Sequence, residues 1–260
     1  MRNLILLCIL IISYPVTSQE LSFDKHEIID LTHAFSHETV YWVTAREFKL
    51  EEVAKGKTEK GYYYSANNFS TAEHGGTHID APIHFAENMQ SLDEIPLKQL
   101  IGNGIKIDIS AKALKTSDYI ISIDDLKDWE KSNGKIPEQS IVLFQTGFGK
   151  FYPDAKKYLG TDKRGSEAVK ELHFPGLSTE AAIWLIENRK IKAVGLDTAS
   201  IDFGQSTDFA THVALMSRNI PAFENVANLD RLPSRDFQII ALPIKIKGGS
   251  GGPLRIIAIK

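Results

Sequence analysis

Residues 73–84 read Glu-His-Gly-Gly-Thr-His-Ile-Asp-Ala-Pro-Ile-His, so three of the chain's eight histidines and one aspartate fall within twelve positions. Gly75-Gly76 and Pro82 argue against a helix, because glycine costs about 1 kcal/mol in a helix interior and proline about 3. In an extended strand alternate residues share a face. His74, His78, Asp80 and His84 all hold even positions, with only the compact Gly76 and Pro82 on the even positions between them. The spacing therefore predicts a strand with imidazoles and a carboxylate on one side. A straight strand, at roughly 3.3 Å per residue, would separate His74 from Asp80 by about 20 Å. Two ligands of one ion need Cα atoms within roughly 13 Å. The segment must bend, and Gly75-Gly76 is where the backbone bends at least cost. Neutral imidazole with carboxylate, and no thiolate, suits Zn²⁺ or Mn²⁺. The segment is not the H-E-x-x-H zinc helix, because Glu73 precedes the first histidine and glycines follow it.

Elements on either side must hold this segment in place. Residues 27–35 and 61–69 read as strands, the second one aromatic. The short apolar runs at 104–110, 140–147 and 191–197 suit buried strands. Between them lie helical patterns. One starts at the N-cap candidate Ser122 and stops near Gly134; another starts at Ser178 and ends in Arg189-Lys190; a third covers 208–219. The last segment reads as two strands joined by a glycine-rich turn at Gly248–Gly252. Strands and helices alternate in the middle, with extended segments at both ends. That pattern predicts an α/β fold, a single mixed-sheet domain with flanking helices.

Composition narrows the partners. A formal charge of −3 on 260 residues argues against nucleic acid. Arg2, the apolar run 4–12, Pro15 and the small residues Val16-Thr17-Ser18 have the layout of a signal peptide over 1–18, with the mature domain at 19–260. The apolar run is about half of the ~20 residues a membrane span needs, so the reading is a secreted protein without a membrane anchor. The single cysteine, Cys8, lies inside that leader. Without it the mature chain has no disulfide and no thiolate nucleophile. There is also no G-x-S-x-G serine elbow.

The run from His74 to His84 also matches, at every defined position, the H-x-G-T-H-x-D-x-P-x-H signature of the cyclase-like metal-dependent hydrolases. That superfamily includes bacterial kynurenine formamidases and isatin hydrolases. Residues 30–35, 143–149, 173–185, 195–204 and 211–233 resemble its other segments, so the resemblance covers most of the chain. It implies the swivelling β/β/α architecture of that family and a metal site at His74, His78 and Asp80. It makes His84 the proton-moving residue, and His212 and Glu224 a second-site pair. Taken alone, His212 reads as a core histidine and Glu224 as a surface one. One or two ions per chain, a homo-oligomer and a small-molecule substrate follow from the same resemblance.

The chemistry expected is hydrolysis of a small amide or lactam by water whose pKa a metal lowers from 15.7 toward about 7. The alternatives are an arylformamidase on the same chemistry and a secreted metal-binding protein without activity. Several residues stay open at this level. Asp197, Ser200 and Asp202 read equally as site or turn residues. Phe35, Tyr41 and Trp42 read as pocket or core. The glycine-rich turn could cradle an anion, and Asn68 heads a glycosylation sequon.

Overall fold

The computed structural model describes residues 26–260; the leader expected over 1–18 lies outside them. In chain order the strands are β1 (Ile28–Asp30), β2 (Lys49–Lys57), β3 (Tyr63–Ser70), β4 (His78–Asp80), β5 (Ile101–Asp108), β6 (Ile120–Ile121), β7 (Ile141–Gln145), β8 (Gly176–Leu177), β9 (Ala193–Leu196), β10 (Ala222–Glu224), β11 (Phe237–Pro243) and β12 (Gly251–Ile259). The helices are α1 (Leu97–Leu100), α2 (Ser110–Ala113), α3 (Ile123–Asn133), α4 (Ala155–Leu159), α5 (Thr179–Arg189) and α6 (Ala210–Met216).

One sheet dominates. β12, β11, β5, β7, β9, β10 and β4 pair in that order, and β4 pairs again with β12, which closes a seven-stranded barrel; β1 adds alongside β12. Strands β5, β7, β9 and β10 run parallel, and the other pairs are antiparallel. Strand alternation then sorts the core packed on this sheet into two, beside a third cluster around Val43, Tyr158 and Phe174. Ile141 and Leu143 of β7 pack with Ile79, Phe223, Ile239 and Ile256 inside the barrel. Val142 and Phe144 of the same strand meet Leu126 and Trp129 of α3 and Leu185 of α5 outside it.

The two long helices begin and end where their residues dictate. Ser122 and Asp125 form a capping box at the start of α3, and Gly134, at φ +81°, ends it. Ser178 accepts a hydrogen bond from the Ala181 N–H to start α5. The mixed α/β domain is the one the element pattern predicts; the short elements β6, β8, α1, α2 and α4 are not among the expected segments, and three further details differ. The third helix is shorter than 208–219 at both ends: Phe209 takes φ +51° before it, and it stops at Met216, ahead of Asn219 at φ +55°. Gly251 and Gly252 belong to β12 rather than to the turn. Strands β2 and β10 were not expected. β2 alternates no apolar residues because it is exposed on both faces, and β10 has only three residues. With β3, β2 forms a separate hairpin that leaves Leu50, Val53, Tyr63, Tyr64 and Phe69 in solvent.

Candidate metal centre

The dense segment is less a strand than its even spacing implies. Only residues 78–80 are paired, so only His78 and Asp80 owe their common direction to alternation. With Ile79 inside the barrel, both point to its outer, helix-covered face. His74 reaches them through the glycine bend, where Gly75 has φ +156° and Gly76 φ +56°. A Cβ on Gly75 would lie 2.0 Å from the Tyr41 ring, far inside van der Waals contact, so glycine is required by space as well as by conformation. His84 arrives by a different device again. Pro82–His84 forms a 3₁₀ turn that lays the His84 ring on that of His74, with centroids 3.8 Å apart.

The distant residues come by register. β10 runs antiparallel to β4 with Glu224 opposite His78 and Ala222 opposite Asp80. Gly251 of β12 flanks Asp80 on the other side. Two small residues thus leave Asp80 room between its neighbours. His212 descends from α6. Asp202 accepts hydrogen bonds from the N–H groups of Thr211 and His212 at 3.1 Å and from His212 Nδ1 at 2.5 Å, which fixes the first turn of α6 and the imidazole together.

The donor atoms fall into two overlapping groups, His74–His78–Asp80 and Asp80–His212–Glu224, each with its ligand atoms within 4.8 Å of one another. Asp80 belongs to both, one oxygen facing each group: Oδ1 is 2.7 Å from His74 Nδ1, and Oδ2 is 3.2 Å from His212 Nε2. The orientation of His78 is informative. Its Nδ1 donates to the Gly76 carbonyl, while Nε2 is buried without a hydrogen-bond partner among the described residues, 3.2 Å from Asp80 Oδ1 and 3.4 Å from Glu224 Oε2. A buried ring nitrogen beside two buried carboxylates, with no hydrogen bond of good geometry to either, is a costly arrangement. A divalent cation among these atoms would take up the nitrogen and the carboxylate oxygens together, so the residues fit a metal of the type that imidazole and carboxylate bind.

The electrostatics agree. Burial works against charge on His78, yet the Asp80 and Glu224 carboxylates raise its pKa to about 9. A field that holds a proton there also attracts a metal cation. Burial and then the nearby Asp80 charge push Glu224 up, while Asp80, despite its burial, is held well below the usual range by His74 and His78. His84 behaves oppositely. Burial takes it down to about 4, with Asp80 opposing and His74, His212 and His78 adding to the drop. It is a neutral imidazole at pH 7, able to accept a proton.

A cavity of about 260 Å³ opens above these residues, lined also by Trp42, Phe85, Phe209, Ser200 and Asn225. Tyr41 and Trp42 therefore line the pocket, whereas Phe35 packs against Phe48 away from it. Asp197 lies elsewhere. Its carboxylate accepts from Thr146, Gly147 and Gly149 and ties the end of β9 to the loop after β7. Asn68 is exposed on the β3 hairpin. Sequence reasoning missed Phe85, Phe209 and Asn225. Phe209, three residues before His212, reads from the sequence only as part of an apolar helix face. Asn225, adjacent to Glu224, donates from Nδ2 to the Gly76 carbonyl and so braces the bend.

A seven-stranded barrel with flanking helices, carrying a buried histidine–carboxylate cluster beneath an aromatic pocket, defines the class. The chain belongs to the putative cyclase family, whose model matches residues 29–203. It is 30% identical over 207 residues to the isatin hydrolase of Roseibium aggregatum, covering 76% of each chain. It is 27% identical to the kynurenine formamidase of Salinibacter ruber, covering 88% of this chain and 96% of that one. The solved isatin hydrolase A from Ralstonia solanacearum has a TM-score of 0.82 and 32% identity over 91% of this chain and 92% of its own.

Proposed function

We propose that this protein is an exported, metal-dependent amidohydrolase that opens a small amide or lactam, as isatin hydrolases do. The observation that carries the reading is the pair of ligand groups sharing Asp80 at the floor of the pocket, with His84 stacked at their edge. His74, His78 and Asp80 would hold one ion, and His212 and Glu224 with Asp80 a second, Zn²⁺ or Mn²⁺. Bound there, the metal supplies Lewis acidity to the scissile carbonyl and acidity to water.

The chain's own residues do the rest. Trp42, Phe85 and Phe209 present aromatic faces to a planar substrate and keep bulk water from it. His84 accepts a proton from the attacking water and returns it to the leaving nitrogen as the C–N bond breaks and the C–O bond forms. The similarity to a kynurenine formamidase over 96% of that chain supports a second substrate class, an N-formyl aromatic amine, on the same machinery.

A panel of cyclic amides and N-formyl arylamines separates the two. We expect turnover that disappears on chelation and returns with Mn²⁺ or Zn²⁺. Unchanged turnover after chelation, or none on any amide with metal bound, would sink the reading; the latter result would leave a metal-binding protein without activity. Export rests on the sequence of residues 1–18, and recovery of the chain outside the cell beginning near Gln19 tests it.

The hairpin supports self-association. A two-stranded sheet exposed on both faces is marginal alone, and this one displays Leu50, Val53 and Phe69. Along β2, Lys49 comes first and pairs with Glu51, and Glu51-Glu52 precede Lys55 and Lys57, with Lys55 4.0 Å from Glu52. A two-fold axis would set one arm's acids against the other's bases, a self-complementary arrangement. We expect sedimentation velocity to give a dimer, and Leu50→Asp with Val53→Asp to give a folded monomer. A wild-type monomer at micromolar concentration would refute it.

A further inference from the structure

The glycine-rich segment Gly248–Gly252 has no part in the function proposed above, yet it closes directly over Glu73 and His74. Ser250 donates its backbone N–H, at 3.1 Å, and its hydroxyl, at 2.6 Å, to Glu73 Oε2. The same hydroxyl oxygen lies 2.9 Å from His74 Nε2. A serine hydroxyl has one proton, and a carboxylate only accepts. That proton therefore points at Glu73, and Ser250 Oγ can meet His74 only as an acceptor. Nε2 must carry the hydrogen. Nδ1, 2.7 Å from Asp80 Oδ1 on the side of the ligand cluster, likewise faces an acceptor and donates to it, so Nδ1 is the nitrogen whose proton an ion would displace while Ser250 keeps the one on Nε2.

The neighbouring glycines are shaped to this contact. A Cβ on Gly249 would lie 2.9 Å from Glu73 Oε1, and one on Gly251 would lie 2.5 Å from His74 Cε1. Side chains at these two positions would push the carboxylate or the imidazole out of line. The anion that this turn cradles is the chain's own Glu73.

We propose that Glu73 and Ser250 are positioning residues that lock His74 in the Nε2–H tautomer and so make Nδ1 its metal-facing nitrogen. The opposite tautomer would present a proton to the cluster and could not ligate. The inference rests on the metal-site part of the reading above and is independent of substrate. Groups that orient a histidine ligand in this way are worth about 10–100-fold in metal affinity.

The test is Zn²⁺ affinity of the full chain, measured by competition with a chromogenic chelator, together with ¹⁵N NMR of histidine-labelled, Zn²⁺-loaded protein. Ser250→Ala should weaken Zn²⁺ binding about 10–100-fold, and Ser250→Thr, which keeps the hydroxyl, should restore most of it. Glu73→Leu frees the hydroxyl to donate to Nε2 and should match Ser250→Ala. Glu73→Gln retains an acceptor oxygen and should stay close to wild type. In wild type the NMR spectrum should show a proton on His74 Nε2 and the metal on Nδ1. Unchanged affinity in Ser250→Ala, or ligation through Nε2, overturns the proposal. If Ser250→Ala does not fold, the Glu73 pair and the wild-type spectrum decide it. Both readouts are made without substrate, so absence of amide hydrolysis leaves them intact. Failure of wild type to bind Zn²⁺ would remove the metal site itself.

Discussion

His84→Ala is expected to lower turnover by about 10²–10⁴ while leaving the metal content intact. His84 stacks on a candidate ligand without joining either ligand group. Its side chain is held by packing, and burial with three neighbouring histidines keeps it neutral, with a pKa of about 4. A bound cation would disfavour a charged imidazole still further. The neutral ring that remains is a weak base, so it offers its lone pair to the proton of an acidified water and gives that proton up readily, and alanine can do neither. Elemental analysis and steady-state kinetics on the same preparation check both halves. A His84→Ala protein that loses its ions as fully as His78→Ala would make His84 a ligand.

Glu224→Gln is expected to reduce the metal content from two ions per chain toward one. Glu224 is buried opposite His78, with Oε1 accepting from the Ile201 N–H at 2.8 Å and lying 3.3 Å from His212 Nε2. Two divalent ions bring four positive charges into a pocket where unpaired charge is costly. Asp80 offsets one and Glu224 another, with Asp202 behind His212. Glutamine keeps the shape of the side chain and removes the charge that the second ion requires. Measuring ions per chain in both proteins decides the matter. A single ion in wild type, or no loss in the variant, would leave the second group of residues as a hydrogen-bonded network around one ion.

Much of this site was legible because its local part is written in residue types. The bend at Gly75-Gly76, the pairing of His78 with Asp80 and the helices starting at Ser122 and Ser178 each depend on a few adjacent residues. The one-sided strand was over-read, because a period of two also fits a bend followed by a strand and a 3₁₀ turn. His212 and Glu224 carried no local signal. Register across β4 and β10 and the capping of α6 by Asp202 bring them in, and both are long-range facts. The β2 strand escaped notice for a related reason: a hairpin exposed on both faces has no buried side to impose alternation.

The closure of the barrel also sets when the centre can exist. β4 sits between β10 and β12, partners about 140 and 170 residues further along the chain. Contacts so distant in sequence form late and slowly, because the intervening chain must be ordered first. The ligands at His74–Asp80 emerge early in synthesis, yet the walls that hold them are the last parts of the fold to arrive. A nascent chain therefore carries separated histidines and carboxylates with little grip on any ion. Metal capture becomes an event of final assembly, and a captured ion then acts as a clasp that slows the barrel from reopening.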